Sequence, residues 1–251
     1  MKILATTSFL LLLGASAIAI AQSDPRPLQE EDKYVRPLLV VPPVFPKREA
    51  TDKLPVEIRV SGSVSEAGTM ESVEFSPLDG NEKFIQAIKD VLPLWQIRPA
   101  VDGKLCVPVV GKGVILVWFE EKNGAPSVSV STQKQEPESA PVDGKPRAAP
   151  RTFVVRPKVD FPTAARRAGL EGSAELLLKA NHQGELLQAT VLFSIPHRMF
   201  GDEARAGSRR VKFSAGAPDE DAQKTLCIIM PFKFCLTSFV DYPSPACAKR
   251  N

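Results

Sequence analysis

Histidine is nearly missing from this chain: there are two in 251 residues, beside four cysteines. Most general bases that work near neutral pH and most soft-metal sites draw on those two residue types, so their scarcity excludes most catalytic and zinc-type chemistry. No C-x-x-C pair occurs and neither His lies near a Cys. His182 and His197 cannot be joined to a nucleophile and an orienting group, so no catalytic residue, metal site or cofactor is expected. Charge of one sign is missing too. Lys+Arg 32 against Asp+Glu 29 leaves +3, with no block of five like charges, and this argues against nucleic acid as a partner. Aromatic residues are few, at 7%, and no apolar run after the N-terminal segment is long enough to span a membrane. What is present is the composition of a soluble globular protein, 43% apolar and 24% charged, with 23 prolines that ask for extended connectors.

The N-terminal segment has a pattern of its own. Lys2 precedes a largely apolar stretch centred on Phe9, Leu10, Leu11, Leu12 and Leu13, and Ala19-Ile20-Ala21 supplies the small-x-small pattern read by a signal peptidase. Cleavage after Ala21 is expected, giving a signal peptide over 1–21 and an N-terminal extension over 22–34. The alternative is an uncleaved anchor, against which Thr6, Thr7, Ser8, Gly14 and Ser16 dilute the apolar character. Export places the cysteines where disulfides persist. Cys227 and Cys235 in one strand, at ~3.3 Å per residue, lie roughly 26 Å apart and cannot bond. Cys235 and Cys247 can close a short loop over the tail, 241–251, with buried free thiols as the alternative.

Residues 123–150 hold five prolines, many Ser, Glu, Gln and Lys, and no aromatic residue, which reads as an extended solvated linker. Its flanks, 35–122 and 151–240, are each the size of a small domain, and they repeat one another. In the first, Val56, Ile58, Val60 and Val64 alternate toward a turn ending in Gly68, and Met70 to Phe75 returns. In the second, Leu176, Leu178 and Ala180 lead to a turn ending in Gly184, and Leu186 to Phe193 returns. The period of two and the matched turn glycines predict two antiparallel hairpins. Phe84, Ile85, Ile88 and Val91 then predict a helix with Asn81 at its start and Pro93 at its end. Phe200, Ala204 and Val211 predict a second helix, weakened by Gly201 and Gly207. A short helix before the second hairpin is opened by Pro162 and closed by Gly169. Each repeat closes on an apolar strand, Val114 to Phe119 or Cys227 to Phe234. The expected fold is α+β: two small β-β-α-β domains, each a three-stranded antiparallel sheet with helices on one face.

The second flank resembles the C-terminal domain of TonB-family proteins. The likeness is carried by Phe161-Pro162, by Ala164, Ala165 and Gly169-Leu170-Glu171-Gly172, by the hairpin and helix, and by Ile229-Met230-Pro231-Phe232-Lys233-Phe234. The first flank is similar through Phe45-Pro46 and Trp95 to Ala100, without the Gly-x-x-Gly. The resemblance implies a periplasmic, non-enzymatic protein that recognises a periplasmic or outer-membrane protein segment, with two modules on a flexible linker. A homodimer stays open. The N-terminal apolar segment lacks the His that family members use to engage an inner-membrane motor. A membrane-anchored energy transducer is therefore an alternative reading, as is a peptidoglycan binder.

The expected mechanism is strand addition at a sheet edge. Ile228, Met230, Phe232 and Phe234 on one side of the closing strand, with Ile229 and Lys233 on the other, are the candidate partner-binding residues. The competing reading is that all six are core strand positions. Asp219-Glu220-Asp221 lacks the spacing of a calcium loop, and Gly111-Lys112-Gly113 reads as a turn between short strands.

Overall fold

The computed structural model describes residues 25–49, 53–132, 152–216, 225–236 and 247. The expected signal peptide, the Asp219 to Asp221 run, residues 133–150 of the expected linker and all of the tail but Cys247 lie outside the described residues. A short strand, β1 (Arg26–Pro27), and a 3-10 turn (Glu30–Lys33) precede the first lobe. That lobe contains β2 (Arg36–Leu39), β3 (Val56–Val64), β4 (Met70–Ser76), α1 (Glu82–Val91) and β5 (Gln96–Arg98). It continues through β6 (Ala100–Asp102), β7 (Val107–Val109), β8 (Gly111–Lys122) and β9 (Ala125–Thr132). The second lobe contains β10 (Phe153–Val155), α2 (Thr163–Arg167), β11 (Gly172–Ala180), β12 (Leu186–Ile195), α3 (Met199–Gly207), β13 (Lys212–Phe213) and β14 (Leu226–Phe234). The class is mixed α+β with antiparallel sheets.

Both hairpins turn where the alternation ends. Ser65 N–H donates to Thr69 O at 2.9 Å and Asn181 N–H to Glu185 O at 3.0 Å. Gly68 (φ 80°) and Gly184 (φ 79°) close the turns in the left-handed region, where a Cβ would also run into the Ile97 and Phe213 carbonyls. Those same glycines accept from Ile97 N–H at 3.1 Å and Phe213 N–H at 2.8 Å, tying β5 and β13 beneath the two turns. The ladders share a register. Val60 pairs with Ile115 as Leu176 pairs with Met230, and Val64 sits between Met70 and Gly111 as Ala180 sits between Leu186 and Leu226.

The cores repeat as well. Phe45, Phe84 and Phe119 meet at centroid distances of 6.2, 5.8 and 4.9 Å, while Phe161, Phe200 and Phe234 meet at 6.3, 6.0 and 5.0 Å, with two edge-on contacts and one tilted contact in each set. Helix α1 buries Phe84, Ile85 and Ile88 on one face. Asn81 stands at its start, but its side chain donates to Asp79 O at 3.1 Å instead of capping the helix. In α3 the glycines have a packing role. A Cβ on Gly201 would press on Val191 and Ser194 of β12, and one on Gly207 would meet the Lys158 carbonyl. Gly201 therefore lets the helix lie close to its sheet, and Gly207 lets it lie close to the 158–159 segment. Helix α2 ends as expected, with Gly169 at φ 64° and the paired bonds Leu170 N–H to Ala165 O (2.9 Å) and Gly169 N–H to Arg166 O (3.3 Å).

Three features differ from the expectations. The sheets have four strands each, in the orders β4-β3-β8-β9 and β12-β11-β14-β1. The fourth strand of the first lobe comes from the expected linker: Asn123 (φ 55°) and Gly124 (φ 76°) make a two-residue hairpin turn that folds Ala125–Thr132 back along β8. Gly111, Lys112 and Gly113 open β8 as strand residues paired to Val64, Ser63 and Gly62, and a Cβ at Gly111 would collide with Val35.

The lobes, finally, are docked rather than loosely tethered. Val101 and Cys106 of the β6–β7 hairpin join Leu177, Leu192, Cys227 and Ile229 of the second sheet in one buried cluster, and a disulfide links Cys106 to Cys227. Two modules joined only by a flexible linker do not describe this arrangement.

Candidate interaction surface

Strand β14 lies between β11 and β1, paired to β11 from Leu226 to Phe234 without a break. Its alternation sends Ile228, Met230, Phe232 and Phe234 into the second lobe's core, and Ile229 into the cluster shared with the first lobe. All five side chains are buried, as apolar strand positions between two packed layers must be. They are held by their own protein and leave no apolar contact face for a guest. Lys233 is exposed. What β14 can present is therefore its outer backbone, together with the Lys233 ammonium.

The outer side of β14 is covered at one end. Arg26 pairs with Ile229 and Pro27 with Ile228, and Leu28 N–H reaches Cys227 O at 3.3 Å. Because Cys227 O faces β1 and the β11 ladder is unbroken, backbone groups at odd-numbered positions face outward, Lys233 among them. At the other end Cys235 is bonded to Cys247, with 5.6 Å between the Cα atoms, and Leu236 N–H donates to the buried Glu171 carboxylate at 2.9 Å.

The cover strand is fixed by a buried charge network that sequence reasoning missed. Arg26 grips Asp32 through two hydrogen bonds of 2.5 and 2.8 Å, and Gln29 N–H adds a third of 2.8 Å. Arg98, only 1% exposed, sends Nε to Glu175 Oε1 at 2.5 Å. Its Nη2 stands 2.9 Å from Asp32 Oδ1, an ion pair lying off the hydrogen-bonding line. Burial pushes the Asp32 carboxyl up. The Arg26 hydrogen bond, the Gln29 N–H and the Arg98 and Arg26 charges outweigh that effect and hold it below the ordinary aspartate range. One arginine of the first lobe thus binds a carboxylate of the second and another of the N-terminal segment.

The hairpin that carries Cys106 is shaped locally. Asp102 accepts from Lys104 N–H at 2.7 Å and Leu105 N–H at 3.0 Å, and Cys106 takes φ 57°. No sequence signal in a lone Cys106 points across the lobes to Cys227; the pairing depends on tertiary placement.

The two histidines lie elsewhere in the second lobe. His197 is exposed, and its Nδ1 accepts from Met199 N–H at 3.3 Å. His182 sits in the β11–β12 turn, where its carbonyl accepts from Gly216 N–H at 2.8 Å. Among the described residues no group of three or more His, Cys, Asp or Glu could hold a metal ion, and no helix is long and apolar enough to cross a membrane.

Comparison with known proteins places the second lobe. Residues 157–236, about a third of the chain, match the family model for the Gram-negative bacterial TonB protein C-terminal. The solution NMR structure of the Pseudomonas aeruginosa TonB CTD aligns with 21% identity and a TM-score of 0.32, covering 36% of this chain and 90% of that one. No curated protein matches the chain.

Proposed function

We propose that this protein is a non-enzymatic periplasmic interaction module whose second lobe takes an extended segment of a periplasmic or outer-membrane protein by strand addition along the outer edge of β14. Affinity would come from backbone hydrogen bonds to the outward-facing N–H and C=O of Lys233, and selectivity from its ammonium and the guest's alternate side chains. We further read the first lobe as a second copy of the same module. The matched ladder register, the matched aromatic sets and the shared glycine-to-strand contacts support that reading.

The observation that carries the proposal is the contrast between the closing strands. Strand β8 already bears an added strand, β9, over eight residue pairs, whereas β1 pairs with β14 at two. The first lobe therefore holds in intramolecular form the arrangement proposed for the second. A photoreactive amino acid at Lys233, irradiated in intact envelopes, tests it. Adducts to one segment of another protein are expected; a product set confined to links within the chain would defeat the proposal.

A further inference from the structure

A sheet edge is a row of N–H and C=O groups open to any passing strand, and folded proteins blunt such rows with charges, prolines, bulges or a covering segment. The two four-stranded sheets have four edges, at β4, β9, β12 and, over the short β1, β14. Strand β4 carries Glu71 and Glu74, a register break opposite Ser61 to Ser63 and a positive φ at Ser72. Strand β12 has two register breaks, opposite Glu175/Leu176 and Lys179/Ala180. Strand β14 has β1, Pro231 and Lys233. Strand β9 lacks such devices beyond its second residue, Pro126. Its register with β8 runs unbroken from Ile115↔Thr132 to Lys122↔Ala125, it contains no charged residue, and among the described residues no strand pairs with its outer side.

We propose that β9 is a dimer interface: two copies of this chain join β9 to β9, antiparallel about a two-fold axis, so that the two four-stranded sheets become one continuous sheet. The run Ser127-Val128-Ser129-Val130-Ser131 selects this occupant. Directly opposed residues of an antiparallel pair point to the same face. A two-fold axis through Ser129 therefore sets Val128 against Val130 and Ser127 against Ser131. The valines, already half-buried over the first lobe's core, extend that apolar strip across the axis, and the serine face stays polar. No charge meets its like. A foreign strand would need a side chain to select it, whereas the 127–131 run carries no charge and matches itself by symmetry. The contact is isologous, so it closes at two copies. It does not depend on the reading of β14.

Sedimentation equilibrium of the full chain tests the interface, with thermal unfolding measured alongside. A dimer is expected for the natural sequence. S127K/S131K sets lysine opposite lysine and is expected to run as a folded monomer, whereas S127K/S131E sets each lysine opposite a glutamate and is expected to restore the dimer. Ser129 lies on the axis opposite its own copy, so S129K alone sets lysine opposite lysine and carries the test if the double lysine variant does not fold. A natural chain that stays monomeric as concentration rises would overturn the proposal. So would a dimer that survives S127K/S131K, or a charge swap that fails to restore pairing.

Discussion

The two lobes share a hairpin register, a helix on one face and a three-ring aromatic core, and they differ in what lies beside the closing strand. In the first lobe the chain turns at Asn123-Gly124 and covers β8 with its own β9. In the second, the chain after β14 is tied back through Cys235–Cys247, and the far end of the strand is crossed by β1. One plan thus yields a sheet completed from within and a sheet whose closing strand is bordered by short, pinned pieces. The β6–β7 hairpin adds a second asymmetry: among the described residues it occurs in the first lobe alone, and it covers the face of the second sheet opposite the helices.

The largest expected effect comes from the two crosslinks. Cys106–Cys227 closes 121 residues and Cys235–Cys247 closes 12. Loop-closure entropy then assigns about 5 kcal/mol to the first and about 3 kcal/mol to the second. Denaturant unfolding of C106S/C227S and C235S/C247S is expected to keep that order; equal losses would mean that the interlobe bond closes no more of the unfolded chain than the tail bond does.

Smaller, and diagnostic of shared plan, are the turn glycines. Gly68→Ala and Gly184→Ala each force a side chain into the left-handed region and against a carbonyl of β5 or β13. Losses of about 1–3 kcal/mol are expected at both sites, matched between lobes. A large loss in one lobe and none in the other would break the equivalence.

The charge network gives the smallest effect. Since the Asp32 carboxyl is held below its ordinary range, its contribution is present above the unfolded aspartate value and is lost as pH falls through the lower folded one. The stability gap between the natural chain and D32N should therefore be full at neutral pH and shrink under acid. A gap independent of pH would remove the ion pairs from the account.

Much of this architecture was legible beforehand, and for local reasons. Period-two alternation ending at Gly68 and Gly184 set both hairpins, and Pro162 with Gly169 bounded α2 as written in the sequence. One misreading has a compositional cause. Proline and serine content made 123–150 look like a spacer throughout, yet Asn123-Gly124 followed by alternating Val128 and Val130 is a hairpin signal that composition outweighed. Distances across the lobes had no local signal at all: Arg98, Glu175 and Asp32 are separated by 66 and 77 residues, and only tertiary packing brings them together. For β14 the local pattern gave the alternation. It could not reveal that the first lobe would bury Ile229 from behind.

Residue-resolved amide exchange of the native chain is the most direct measure of the difference between the closing strands. Along β8 from Ile115 to Lys122, flanked by a strand on both sides for most of its length, the amides should be retained together. The Lys233 amide, turned away from β11, should exchange far faster than its counterpart Trp118. Equal retention at Lys233 and Trp118 in the isolated protein would contradict the account, because the second lobe's edge would then be as sealed as the first.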